Sequence, residues 1–148
     1  MRSRWLLLAA GAYALALALI GLWKTPVDRN VAVVDLPPVA WTIRQLGLTP
    51  WEGYDLVEFT ANIALFVPLG VLMLLWWRQR GWLHATGVAF ATSLTIEILQ
   101  QLLRPERFAS VSDVVANTAG GAIGGLAAIA LRKLHLGLSS SAIHEKKP

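Results

Sequence analysis

A chain of 148 residues is long enough for one domain of ordinary size. It is 55% hydrophobic and 15% charged, where soluble domains run at roughly 45–50% and about 25%. A mean hydropathy of +0.54 leaves too little polar sequence to cover such a core, which excludes a disordered chain and most soluble enzymes. The absence of cysteine excludes a disulfide scaffold, a thiolate metal site and a cysteine nucleophile. The net charge of +4 sits beside apolar runs rather than on one basic face, so nucleic acid is not an expected partner.

Crossing a hydrocarbon core takes about 20 largely apolar residues. Four stretches qualify: Trp5–Trp23, Val57–Trp77, Trp82–Leu103 and roughly Asp113–Leu131. Arg2 and Arg4 precede the first, as they would a signal peptide. Its apolar run is longer than the roughly 7–15 residues of a signal core, however, and no small-x-small site follows its end, so it reads as a retained anchor. In the long loop after it, Val39, Ala40, Ile43 and Leu46 recur at helical spacing ahead of Gly47. That pattern fits a short surface helix or plain loop equally. Pro68 falls inside the second span, where neighbouring helices absorb a kink.

The fourth span holds Gly120, Gly121, Gly124 and Gly125 as two overlapping G-x-x-x-G pairs, with Ala116 and Ala128 extending the small-residue stripe. Small residues let helix backbones approach closely, so these glycines, with Pro68 and Gly70, are expected to serve helix packing. A homo-oligomer built through the fourth helix is compatible with the same stripe. No Lys-Ser/Thr follows the glycines, so they form no phosphate loop. Leu138 to Pro148, with three consecutive serines, reads as a disordered tail after a membrane domain of residues 1–137.

Lys and Arg placement sets the orientation. With the N-terminus inside, the inner segments hold Arg2, Arg4, Arg78, Arg80, Arg132, Lys133, Lys146 and Lys147. The outer ones hold Lys24, Arg29, Arg44, Arg104 and Arg107. The expectation is an all-α integral membrane protein with four transmembrane helices, both termini cytoplasmic (N-in/C-in), and a longer first outer loop. Trp5, Trp23, Trp76, Trp77 and Trp82 fall at span ends, where amphipathic rings favour the headgroup region.

On that topology the polar residues gather at the outer end of three helices. Glu58 and Asn62 lie in the outer turns of the second span, Glu97, Gln100 and Gln101 at the end of the third, and Asp113 and Asn117 at the start of the fourth. Arg104 and Arg107 join the last two. Each set is spaced three or four apart and so shares one helical face. Extending the third face inward by one turn meets Ser93. Glu58 and Asp113 at span edges have an ordinary alternative as solvated or capping residues, and Asn62 and Asn117 as plain interhelical bonds worth roughly 1 kcal/mol or less. Glu97, about 9 Å inside its span end, is less easily hydrated. His84, His135 and His144 lie away from this cluster, so neither a histidine metal site nor a Ser–His–Asp set is expected there. No cofactor is expected.

The strings Asn62-x-x-x-Phe66-x-Pro68-x-Gly70 and Glu97-x-x-Gln100…Arg107…Asp113-x-x-x-Asn117-x-x-Gly120 resemble the VanZ-like family over about residues 52–127. The family consists of small polytopic bacterial membrane proteins and takes its name from a member linked to teicoplanin resistance. Many relatives carry an acid where this chain has Ser110, and an aspartate near the start of the second span, for which Asp55 or Glu58 could stand in.

Three functions compete. In the first, the outer pocket binds an amphiphile with an anionic or polar headgroup, such as a lipid-linked envelope intermediate, a phospholipid or a lipoglycopeptide such as teicoplanin. Arg107, with Arg104, would grip a phosphate or carboxylate by bidentate bonds. Glu58, Asn62, Glu97, Gln100, Asp113 and Asn117 would complete the site. In the second, Glu97 and Asp113 are catalytic acid–base groups of a membrane enzyme acting on a lipid headgroup. In the third, the cluster only joins helices or contacts a partner subunit.

Overall fold

The computed structural model describes residues 2–21, 33–103 and 110–144. Over these the chain is helical: α1 (Arg2–Gly21), a single 3-10 turn (Val33–Asp35), α2 (Pro37–Gln45), α3 (Pro50–Trp76), α4 (Trp82–Leu103) and α5 (Val111–His144). Four of these are long and apolar enough to cross a membrane: α1, α3, α4 and α5 as far as His135.

The long first loop contains a helix with clear local causes. Pro37 and Pro38 open α2, where a fixed φ and a missing N–H cost nothing. Gly47, at φ +69°, closes it. Its N–H donates to the Arg44 carbonyl and that of Leu48 to the Ile43 carbonyl, which satisfies two helix-end acceptors. Thr49 then caps α3. Its hydroxyl accepts from the Glu52 amide, and the Glu52 carboxylate accepts from the Thr49 amide at 2.8 Å. With Pro50 next in line, α3 starts there rather than at Val57. Ile43 of α2 is buried over Gly53, where an added Cβ would strike it.

The glycine-rich helix α5 packs against both α3 and α4. A Cβ on Gly120 would collide with the Ile63 carbonyl, and one on Gly124 with the Val67 carbonyl. One turn-face away, Gly121 and Gly125 rest on Ala89 and Ala85 of α4. A Cβ on each G-x-x-x-G pair would therefore strike a different neighbour, α3 for one and α4 for the other. Gly70 returns the contact from α3, seated on the backbone of Gly121 and Gly125. Phe66, Leu74, Ala85, Ala89 and Ala116 fill the interior. Pro68, expected among the packing residues, is exposed instead. Its ring removes an N–H but α3 continues through it, and the contacts pass to Val67, Leu69 and Gly70.

α1 is peripheral, with Leu17 the one buried residue on its described positions. Two bonds tie it in: the Tyr13 hydroxyl donates to the Leu65 carbonyl at 2.7 Å, and the Gln100 amide donates to the Gly21 carbonyl. At the opposite end Arg132 donates to the Arg78 carbonyl at 2.9 Å, joining α5 to the α3–α4 turn. Leu7, Leu8, Phe90, Leu94, Ile98 and Leu126 are exposed, giving the bundle an apolar outer surface suited to lipid. Where a disordered tail is expected from Leu138, the backbone remains helical to His144.

Candidate functional site

The C-terminal turns of α4 meet the N-terminal turns of α3 and α5 at one end of the bundle, and the expected polar residues meet there. The Asn62 amide of α3 donates to Asp113 Oδ1 of α5 at 3.0 Å. One turn deeper, the Asn117 amide donates to the Ser93 hydroxyl of α4 at 2.9 Å. Ser93 is fully buried, and Glu97 and Asn117 are each 6% exposed. Among the described residues, Asn117 Oδ1 is buried without a hydrogen-bond partner.

Ser110 organises the mouth of this cluster. Its hydroxyl accepts from the Asp113 amide at 3.2 Å, capping α5. Its own amide donates to Glu97 Oε2 at 2.9 Å. In a self-contained capping box the third residue's carboxylate would take that amide. Here α4 supplies the acceptor, so the Asp113 side chain is free to reach α3. A helix-start signature of serine followed three residues later by an acid was readable at Ser110–Asp113, as was the Thr49–Glu52 box. That Glu97 would complete the former was not, because it depends on how α4 and α5 are rotated.

Of the other expected residues, Glu58 is half-buried and makes an interaction of its own. Gln100 turns to α1 rather than into the cluster. Gln101 and Asp55 are exposed. Arg104 and Arg107, the expected anion grips, lie outside the described residues, between Leu103 and Ser110 in the chain. The two candidate catalytic carboxylates, Glu97 and Asp113, both accept bonds that join helices. Among the described residues no group of three or more His, Asp or Glu is placed to hold a metal ion. His84 lies at the far end, edge-on to Trp77 with ring centroids 5.4 Å apart.

No solved structure matches this chain. A curated relative, Protein VanZ of Enterococcus faecium, is 31% identical over 105 residues, which is 70% of this chain and 60% of the relative. The chain thus spans about 60% of that relative's length. The VanZ/LLP1 family profile matches residues 9–132, extending the likeness beyond the 52–127 motif region into α1 and further along α5. This chain belongs to the VanZ/LLP1 family.

Proposed function

We propose that the polar end of the bundle binds the headgroup of a membrane amphiphile, anionic or otherwise polar, from the outer leaflet, with both chain termini cytoplasmic. The observation that carries this reading is the convergence of Asn62, Ser93, Glu97, Ser110, Asp113 and Asn117 from three helices at one end of an otherwise apolar bundle. Scattered helix-joining residues have no reason to share one end. Asn117 Oδ1, an acceptor without a donor among the described residues, suits a ligand hydroxyl or ammonium at the base of the cluster. Arg107 would add a planar fork for phosphate or carboxylate. In this reading the protein contributes to glycopeptide resistance or envelope homeostasis by engaging a lipid-linked intermediate, a phospholipid or a lipoglycopeptide such as teicoplanin.

Expression in a Gram-positive host tests the role. Susceptibility to teicoplanin is expected to fall more than susceptibility to vancomycin, which lacks the acyl tail. Equal or absent effects on the two would contradict engagement of an acylated glycopeptide. A second reading, that the cluster serves helix assembly alone, is favoured by the fact that its bonds run between helices, and Arg107→Ala separates the two: assembly by these bonds does not call for the Arg107 guanidinium.

A further inference from the structure

The end of the bundle opposite the polar cluster gathers positive charge. Arg78 and Arg80 lie in the turn between α3 and α4, and Arg132 and Lys133 follow the apolar run of α5. Beyond Glu58 α3 has no acid, α4 has none before Glu97, and α5 has none between Asp113 and His144. Among the described residues these four cations therefore meet no carboxylate at their end of the bundle. Arg132 is the fixed member. Its Nη1 donates to the Arg78 carbonyl at 2.9 Å, while Nη2 is buried without a hydrogen-bond partner among the described residues. A guanidinium holds its N–H groups in a rigid planar fork, so anchoring Nη1 also fixes where Nη2 needs an acceptor. Leaving a buried donor unmet is costly, and more so on a charged group. Arg78 is exposed and, among the described residues, bonds through its carbonyl, which leaves its own guanidinium uncommitted at the same turn.

Depth decides which anion answers this demand. From Asp113 to Arg132 α5 rises about 28 Å, close to the roughly 30 Å of a hydrocarbon core. Trp76, Trp77 and Trp82, all exposed, flank the same turn, and tryptophan favours the headgroup region. The basic end thus lies level with the phosphates of one leaflet, the cytoplasmic one in the orientation proposed above. We propose that Arg78 and Arg132 form a binding site for the phosphate of an anionic phospholipid, with Arg80 and Lys133 adding attraction. Phosphate oxygens suit guanidinium forks. They supply the acceptor that Arg132 Nη2 lacks and offset the mutual repulsion of the two arginines. Four cations beside a bilayer also favour a lipid with net negative charge over a zwitterionic one. The site lies a membrane thickness from the polar cluster and does not rest on the headgroup reading.

Native mass spectrometry of the full chain in detergent, titrated with phosphatidylglycerol or with phosphatidylcholine of the same acyl chains, tests it. Both lipids carry the phosphate, and only choline cancels its charge. The wild type is expected to prefer phosphatidylglycerol by about tenfold or more, each arginine contributing about fivefold. Arg78→Gln keeps the carbonyl that Arg132 uses and is expected to lower the preference about fivefold. Arg132→Lys keeps the charge but loses the fork, and is expected to lower it by less. Arg44→Gln, which removes a cation from α2, and Asp113→Asn, in the polar cluster, are expected to leave it unchanged. Inorganic phosphate in large excess is expected not to displace the lipid. Equal binding of the two lipids, or a preference that survives Arg78→Gln, would overturn the proposal. So would a preference that falls as far in Arg44→Gln or Asp113→Asn, or a lipid displaced by inorganic phosphate.

Discussion

Glu97 of α4 accepts the backbone amide of Ser110 at 2.9 Å, so the N-terminal cap of α5 is completed by a side chain from another helix. A buried carboxylate is costly unless its oxygens find donors, and the unpaired amides at a helix start are donors in need of acceptors. The pairing answers both requirements and fixes where α5 begins relative to α4. It also releases Asp113 for Asn62.

Weakening the cap of α5 is expected to destabilise the bundle by an amount that depends on which of its two bonds is removed. Ser110→Ala deletes the cap hydroxyl and should cost about 1 kcal/mol. Glu97→Ala leaves a part-buried amide without its acceptor and should cost more, about 1–3 kcal/mol. Reversible unfolding in mixed micelles with increasing dodecyl sulfate measures both, and equal stability of Glu97→Ala and the wild type would contradict the pairing.

Asn62 and Asp113 form a bond suited to a double-mutant cycle. Interhelical side-chain bonds in membranes average about 0.6 kcal/mol and reach about 1.7. A coupling energy in that range is expected from Asn62→Ala, Asp113→Ala and the pair. Strict additivity would show that the residues act separately.

The glycines of the fold are expected to divide sharply. Gly70→Ala, Gly120→Ala and Gly124→Ala each drive a methyl into a facing backbone and should cost about 1–3 kcal/mol or more. Gly11→Ala and Gly87→Ala meet nothing within 4 Å and should be neutral or slightly stabilising. Unfolding midpoints that failed to separate the two groups would contradict the close α3–α5 contact.

Tyr13→Phe removes the hydroxyl that holds α1 to the Leu65 carbonyl while keeping the ring. A loss of about 1 kcal/mol is expected, along with faster labelling of a thiol placed at Leu17, the buried point of α1. Unchanged labelling would mean that α1 is held by other contacts.

Orientation has its own test, since the chain contains no cysteine. In intact cells an impermeant thiol reagent is expected to label Trp51→Cys and to leave Gln79→Cys unlabelled until the membrane is opened. The reverse pattern would invert the topology.

Much of this architecture was readable from the amino acids because it depends on local composition and on periodicity. Apolar run lengths marked the four long helices, and spacing by three and four put Glu58 with Asn62, Glu97 with Gln100, and Asp113 with Asn117 on one face of each helix. Relations that depend on helix rotation were not readable. The two G-x-x-x-G pairs look equivalent in sequence, yet Gly120 and Gly124 face α3 while Gly121 and Gly125 face α4. Gln100 shares a face with Glu97 by spacing but bonds to α1, because α1 ends beside it. Tyr13 carried no periodic signal, and its partner is a backbone carbonyl that any residue at position 65 would supply.

The most direct test of the headgroup account is native mass spectrometry of the full chain released gently from detergent, comparing wild type with Arg107→Ala and Asp113→Asn. The account predicts a defined adduct of lipid-like mass on the wild type that is lost or strongly depleted in both variants. Bare protein throughout, or an adduct indifferent to both changes, would contradict it and leave the cluster as a device for joining helices.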